Sequence, residues 1–364
     1  MAASISDVAA RAGVSVATVS RALRGLPNVA PSTRARVLDA ARELDYVADP
    51  QASRLAAGRT KTIGMVVPMF TQWFFTQCVA GAEAVLVAAG YDVLLYNIAG
   101  TESRSRFVES MPFRKRVDGI IVIDLPLDEA EVGRLVDTDV PVVTIGHDAA
   151  AFPSVTIDNV AAGRAATEHL IALGHARIGL LSNLRDHPVT FTAPIERRRG
   201  YTEALTAHGL PVDPTLEAPG NFSLNGGAEA MATILATEPP PTAVFAESDE
   251  MAIGALKTLR DEGLKVPRDV SIIGFDDHEM AEYLGLTTIR QPVVALGEVG
   301  AGLLLEGLGD AVEGASDGLD ARSVVMPTEL VVRATTGPAP GLTAGSGPSG
   351  AARSRAAQAS PQQT

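Results

Sequence analysis

Ile5-Ser6-Asp7-Val8-Ala9-Ala10-Arg11-Ala12-Gly13-Val14-Ser15-Val16-Ala17-Thr18-Val19-Ser20-Arg21-Ala22-Leu23 is the stretch from which the rest of the chain is best read. Ile5, Val8, Ala9 and Ala12 fall at i, i+3, i+4 and i+7, one face of a helix. Gly13 then offers a left-handed C-cap and Ser15 an N-cap. A second helix from about Val16 to Arg24 turns Val19, Ala22, Leu23 and Leu26 to one side and Ala17, Ser20, Arg21 and Arg24 to the other. Two short helices across a glycine-containing turn make a helix-turn-helix. Its polar face suits the DNA major groove. Arg21 can pair bidentately with guanine, Val16 and Ala17 can touch a thymine methyl, and Ser15, Thr18 and Ser20 suit phosphate oxygens. A helical hairpin with a solvated polar face satisfies the same spacing.

A third helix follows, with Ala30 at the N-cap, Pro31 at N1, and Val37, Leu38, Ala41 and Leu44 expected inside. Asp49 and Pro50 then open a segment that Gly58 ends. One or two turns are too short to be stable alone in water, so this helix is expected only against a partner. Leu55 has no obvious core to enter. A leucine wedged between base steps of the minor groove explains it; a flexible linker with an incidental leucine is the other reading. Charge supports a division here. Residues 1–61 carry +4, while the remainder carries −17 of the chain's net −13. A basic head sits on an acidic body.

Beyond Thr62, short apolar runs alternate with helical patterns. Strands are expected at Thr62–Val67, Asp92–Tyr96, Gly119–Ile123, Val140–Ile145, Arg177–Leu181, Thr242–Ala246 and Val270–Phe275. Helices are expected near 74–90, 104–115, 159–174, 197–209, 224–236 and 248–263. This is α/β order: parallel sheets flanked by helices, too long for one sheet and therefore two lobes. Ligands of open α/β sheets bind beyond the strand C-termini, and two facing lobes would make a cleft there. Those ends carry an aromatic loop, Pro68–Phe75, with Trp73 and Phe74 in a chain only 4% aromatic. Stacking on a ligand and packing on a neighbouring lobe are both open to it. The other strand ends carry His147, Ser248 and Asp276, and Arg197 stands near a helix start.

Ile5-Ser6-Asp7-Val8-Ala9, Ala12-Gly13-Val14-Ser15, Thr18-Val19-Ser20-Arg21 and Ala52-Ser53-Arg54-Leu55 resemble the head and hinge of the lactose-repressor/galactose-repressor family. Asp118-Gly119-Ile120-Ile121, Ile157-Asp158-Asn159, Asp249-Glu250-Met251-Ala252-Ile253-Gly254 and Gly274-Phe275-Asp276-Asp277 resemble its two-lobed, periplasmic-binding-protein-like core. The resemblance covers about residues 4–335. It implies that Arg21, Val16 and Ala17 read bases and that Leu55 opens the centre of a palindromic operator. It further implies that Phe74 stacks on an effector, that Arg197 and Asp276 grip it, and that His147, Phe222 and Ser248 line the same cleft, to which the aromatic loop adds Trp73 as a candidate. There are departures. Asp49 stands where asparagine is usual, Gln72-Trp73 where Asn-Pro is common, Gly146 where a carboxylate is frequent, and Asn221 where aspartate is common.

The expected organisation is a head at 1–48, a hinge at 49–60 and a body at 61–336. The first lobe takes about 61–160 and 291–322, the second about 161–290 and 323–336. A disordered tail is expected at 337–364, rich in Gly, Ala, Ser and Pro. The function expected is a transcriptional regulator, most simply a repressor. It would bind double-stranded DNA as a homodimer and answer to a small-molecule effector, sugar-like by the resemblance. A degenerate site answering to a protein partner or a nucleoside, and a solute-binding receptor, are the alternatives. No cofactor or catalysis is expected, since no P-loop, GxGxxG, HExxH or nucleophile elbow is present. One cysteine, Cys78, rules out an internal disulfide and a multi-cysteine zinc site. No apolar run reaches the ~18 residues of a membrane span, and no signal pattern opens the chain, so a cytoplasmic location is expected.

Overall fold

Three helices pack around a small apolar core at the amino terminus: α1 (Ile5–Ala12), α2 (Val16–Leu23) and α3 (Pro31–Glu43). Ser4 caps α1 by accepting from the Asp7 amide, and the Asp7 carboxylate accepts from the Ser4 amide in return. Gly13 ends the helix at φ 66°, the left-handed conformation glycine adopts without strain. Val8, Val19 and Val37 are fully buried at the centre. On α3 the inward residues are Val37, Ala40 and Ala41, while Leu38, expected inside, is exposed. The i, i+3, i+4 face therefore runs through Ala40. Arg11 and Glu43 form an ion pair that ties α1 to α3. The structure, a computed structural model, describes residues 3–23, 25, 27–46, 59–98, 100–183, 191–309 and 323–341. The expected hinge helix at 49–58, with Leu55, and Arg24 and Leu26 lie outside the described residues.

The body holds two six-stranded sheets. The first contains β1 (Thr62–Val67), β2 (Asp92–Asn97), β3 (Gly119–Ile123), β4 (Val142–Ile145), β5 (Ser154–Ile157) and β11 (Ser323–Met326), in the order β11-β5-β4-β3-β1-β2 and parallel throughout. The second contains β6 (Ile178–Ser182), β7 (Glu217–Pro219), β8 (Ala243–Ala246), β9 (Ser271–Asp276), β10 (Thr287–Arg290) and β12 (Glu329–Val331), in the order β12-β10-β9-β8-β6-β7. Only β12 runs antiparallel there, against β10. The central strands β3, β8 and β9 are buried along their whole length, as strands covered on both faces must be.

Helices α4 (Trp73–Ala88), α5 (Thr101–Ser110), α6 (Glu129–Val136) and α12 (Val293–Gly307) belong to the first lobe. α7 (Asn159–Ala172), α9 (Leu224–Leu235), α10 (Asp249–Asp261) and α11 (Glu279–Leu284) belong to the second, with most of α8 (Thr192–Ala207). Glycines let paired helices touch backbone to backbone. A Cβ on Gly81 would lie 2.1 Å from the Val294 oxygen, and one on Gly297 2.1 Å from that of Cys78. Cys78 is fully buried at this α4–α12 crossing, a packing residue whose thiol burial pushes strongly toward the neutral form.

Among the described residues the chain changes lobe at 158/159, 193/194, 291/292 and 327/328, the first two residues of α8 grouping with the first lobe. The change expected at 322/323 is corrected: β11 adds to the first sheet beside β5, with Ser323 opposite Ser154 and Met326 opposite Ile157. The tail boundary at 337 is corrected too. Gly337 donates to Ser271 Oγ and accepts from His175 Nε2, and the Ala339 amide donates to the Leu173 oxygen. Residues 337–341 thus belong to the second lobe; the disorder expected from 342 onward falls outside the described residues.

Candidate functional site

Ser15 opens α2 with its hydroxyl accepting from the Thr18 amide at 3.2 Å and paired with Thr18 Oγ1 at 2.9 Å. That cap fixes where α2 begins and so which residues its free face presents. Val16, Ala17 and Arg21 are exposed on it, Thr18 and Ser20 are half-buried, and Val19 and Ala22 face the core. An apolar patch two residues wide next to a projecting guanidinium is what a helix needs to read a T methyl and a neighbouring G edge.

The body's charged site is built at the carboxyl ends of the second sheet. α7 and α8 approach until a Cβ on Gly163 would lie 2.4 Å from the Arg197 oxygen and one on Gly200 2.1 Å from that of Val160. This crossing carries Arg197, on the second turn of α8, to Asn159 at the first residue of α7. Arg197 is 6% exposed. Its Nε donates to Asn159 Oδ1 at 3.0 Å, its Nη1 to the main-chain oxygen of Glu247 at 2.5 Å, and its guanidinium stacks 3.5 Å from the Phe275 ring centroid. Asp276, the last residue of β9, lies beside it and accepts from Gln291 Nε2 at 2.6 Å. Burial raises the Asp276 carboxyl to about 6, against the pull of Arg197 and Gln291. Asp277 is locked by Arg290 and Arg333, each at 2.7 Å, which holds the turn where Asp276 has φ 115° and Asp277 φ 59°.

Ser248 is buried, and its hydroxyl accepts from the Met251 amide as the N-cap of α10. Arg198 and Arg199, neighbours of Arg197 in sequence, point elsewhere: Arg198 pairs with both Glu217 oxygens, and Arg199 pairs with Glu203 on the surface. Phe222 packs partly against the second lobe's core with φ 47°, directly after Asn221 at 49°. An aromatic residue in that region costs roughly 1–2 kcal/mol, and such strain is concentrated at ligand-facing turns.

In the first lobe, Trp73 and Phe74 stand in the first turn of α4, which begins one residue before the helix expected near 74 and so takes Trp73 out of the loop; Gln72 precedes it without a side-chain cap. Phe74 stands edge-on to the buried Phe75 at 5.2 Å and is itself only half-buried. His147, two residues past β4, reaches Thr192 Oγ1 through Nδ1 at 3.2 Å. The structure therefore brings Arg197, Asp276 and Ser248 to one sheet edge, and sets Trp73, Phe74 and His147 on the other lobe.

Comparison with known proteins decides what this pairing of head and body is. The chain is 36% identical over 343 residues to the HTH-type transcriptional repressor CytR of Escherichia coli (strain K12), covering 92% of this chain and 96% of that protein. It belongs to the lacI family. Residues 4–49 match the family described as bacterial regulatory proteins, lacI family, and residues 167–336 a periplasmic binding protein-like domain. Among solved structures, the lac repressor dimer bound to operator and the anti-inducer ONPF has a TM-score of 0.79 at 29% identity, covering 93% of this chain and all of that one. The complex of the transcriptional regulator CelR with cellobiose has a TM-score of 0.66 at 33% identity, covering 92% and 99%. As a lacI-family member the chain is a DNA-binding transcriptional regulator, and the relatives named here are regulators rather than enzymes. No helix among the described residues is long and apolar enough to cross a membrane, and no group of three metal-ligating side chains occurs among them.

Family membership directs attention to residues that sequence reasoning missed. Asn159 accepts from Arg197, Gln291 donates to Asp276, and Glu247, whose main-chain oxygen accepts from Arg197, is fully buried. Asp118 is another. It receives the Thr60 amide at 2.6 Å, the Thr60 hydroxyl at 2.8 Å and the Lys61 amide at 2.8 Å, fastening the chain just before β1. Asp118→Ala is expected to lower operator affinity about tenfold by loosening this joint, while effector affinity stays unchanged. DNA titration and calorimetry on the same preparation check both halves.

Proposed function

We propose that this lacI-family regulator is a cytoplasmic repressor that binds a palindromic operator as a homodimer, and that a small polyhydroxylated effector sets its operator affinity. The observation that carries the effector half is the buried Arg197, stacked on Phe275, with the buried Asp276 carboxyl under its electrostatic pull at the strand ends of a body joined to a helix-turn-helix. A guanidinium and a carboxylate side by side suit vicinal hydroxyls, since one donates and the other accepts. The complex of CelR with cellobiose, a sugar, supports this class of ligand. The effector contacts are assigned to Trp73, Phe74 and His147 in the first lobe and to Arg197, Phe222, Ser248 and Asp276 in the second. Effector and operator binding are reciprocally linked, so an inducer weakens DNA binding by the factor by which DNA weakens inducer binding.

On the DNA side, Val16, Ala17 and Arg21 read bases and Ser15, Thr18 and Ser20 hold phosphates. Arg24, on the same outward face by its spacing, is a further DNA contact, and Leu55 keeps the minor-groove wedge role the resemblance implies. Selection of binding sites from a randomised DNA pool by the full chain, with and without a panel of sugars, tests the reading. Recovery of one short palindrome whose enrichment changes with a sugar is the expected result. An unenriched pool under every condition overturns it. Arg21→Ala should relax the preference at one position of each half-site, at a cost of about 1–3 kcal/mol in discrimination; an unchanged logo removes Arg21 from base reading.

A further inference from the structure

We infer that Glu247 and Asn183 form an acceptor pair in the second lobe that takes an N–H or O–H group of the effector and selects an uncharged or amine-bearing molecule over an anionic one. The inference rests on the effector reading above and names which chemistry that site admits. Glu247 follows the last residue of β8, and its amide continues the sheet by donating to the Leu181 oxygen at 3.0 Å. Its side chain is therefore held at the strand ends, next to the end of β6, where Asn183 stands. Glu247 is fully buried. Its Oε2 receives the Asn183 amide at 3.4 Å, a long contact, and its Oε1 has no hydrogen-bond partner among the described residues. Asn183 Oδ1 is likewise buried without a partner among them.

Two adjacent side chains thus present unanswered oxygens, and unanswered buried oxygens are costly to leave so. The nearby guanidinium does not answer Glu247 Oε1: Arg197 gives Nε to Asn159 and Nη1 to the main-chain oxygen of Glu247. What the pair lacks is a donor. Hydroxyls and amines supply one; sugar phosphates and sugar acids carry hydroxyls as well, so discrimination against them rests on their charge. An anion would meet the buried carboxyls of Asp249 and Asp276 on the neighbouring elements. Burial already pushes Glu247 up to about 8, against Ser182, Arg197 and the Asn183 amide. Near neutral pH the carboxyl therefore holds a proton, and a ligand N–H or O–H would take that proton's place.

Isothermal titration of the full chain with glucose, ribose, glucosamine and cytidine, each beside an anionic counterpart (glucose 6-phosphate, ribose 5-phosphate, gluconate), tests this. Wild type is expected to bind at least one uncharged or amine-bearing member and no anionic one. Glu247→Ala should weaken that ligand tenfold or more. Glu247→Gln, which keeps the volume, serves as the folding control: its melting midpoint at pH 8.5 should exceed that of wild type by at least ~2 °C, because a buried charge is gone. Equal affinity in wild type and Glu247→Ala, or tighter binding of an anionic counterpart, overturns the inference and leaves the effector reading standing. Failure of wild type to bind any member overturns both.

Discussion

Arg197→Ala is expected to lower the melting midpoint by about 10 °C and to abolish the response to effector, with non-specific DNA binding unchanged. Arg197 is the cation of a buried set that includes Asp276 and Glu247. Removing one partner of a buried charged group typically costs ~3–5 kcal/mol, because the remaining charge keeps its desolvation penalty and loses its compensation. At ~2–4 °C per kcal/mol for a domain of this size, the shift follows. Asn159 would lose its donor and Phe275 the guanidinium over its ring. Arg197→Lys separates the two effects. It restores positive charge but not the planar fork that serves Asn159, Glu247 and the ring together, so stability should return in part and effector response should not. Calorimetry measures the first and fluorescence anisotropy of labelled DNA the second. A variant that melts like wild type would show that Arg197 carries no charge balance in the lobe.

The parts of this fold that could be read before any coordinates are those in which local pattern and tertiary role coincide. β1 and β3 are continuous apolar runs because both faces of a parallel sheet are covered, and their limits follow from Thr62 and Gly119. The head was legible for a related reason: its caps Gly13 and Ser15 act within about four residues of where they stand. α12 was not, since Val293–Gly307 is apolar nearly all round and shows no polar face to mark a period. β11 is a four-residue edge strand, alternately exposed, whose place in the first sheet comes from pairing with β5 some 170 positions earlier. The site divides in the same way. Arg197 and Asp276 stand in recognisable motifs. Glu247 reads from sequence only as a residue between a strand and a helix cap. Its meaning depends on the ends of β6 and β8 being neighbours. The available signal was a carboxylate directly after the apolar run Ala243–Ala246, where solvation gives no reason for it.

The same buried carboxyls make the stability of the ligand-free protein fall as pH rises from 6.5 to 8. Glu247 is raised to about 8 and Glu250 to about 7, chiefly by burial. Asp249 is raised well above its ordinary value by burial and by the neighbouring Asp276 charge. For a carboxyl whose folded-state pKa lies above its unfolded value, the folded state holds the proton longer. Its stabilising contribution is complete below the unfolded pKa and is lost as pH climbs through the folded one. Glu247 alone gives a slope of about 1.4 kcal/mol per pH unit across this window, hence about 2 kcal/mol from pH 6.5 to 8. Histidines act on the other side. His169, His175 and His278 are lowered by burial, so their contribution grows as pH rises through 6.5 and opposes the carboxyl slope there. Above about pH 7.5 they are neutral in both states and leave the carboxyls to set the slope. Melting midpoints at half-unit steps from pH 6.5 to 8.5 should therefore decline and then level off near the Glu247 value. Glu247→Gln should remove most of that decline. If a donor-bearing effector answers Glu247, saturation with it should flatten the wild-type curve as well, because the ligand supplies what the proton otherwise provides. A midpoint that rises toward pH 8 would mean that the buried carboxyls are already charged and compensated in the ligand-free fold.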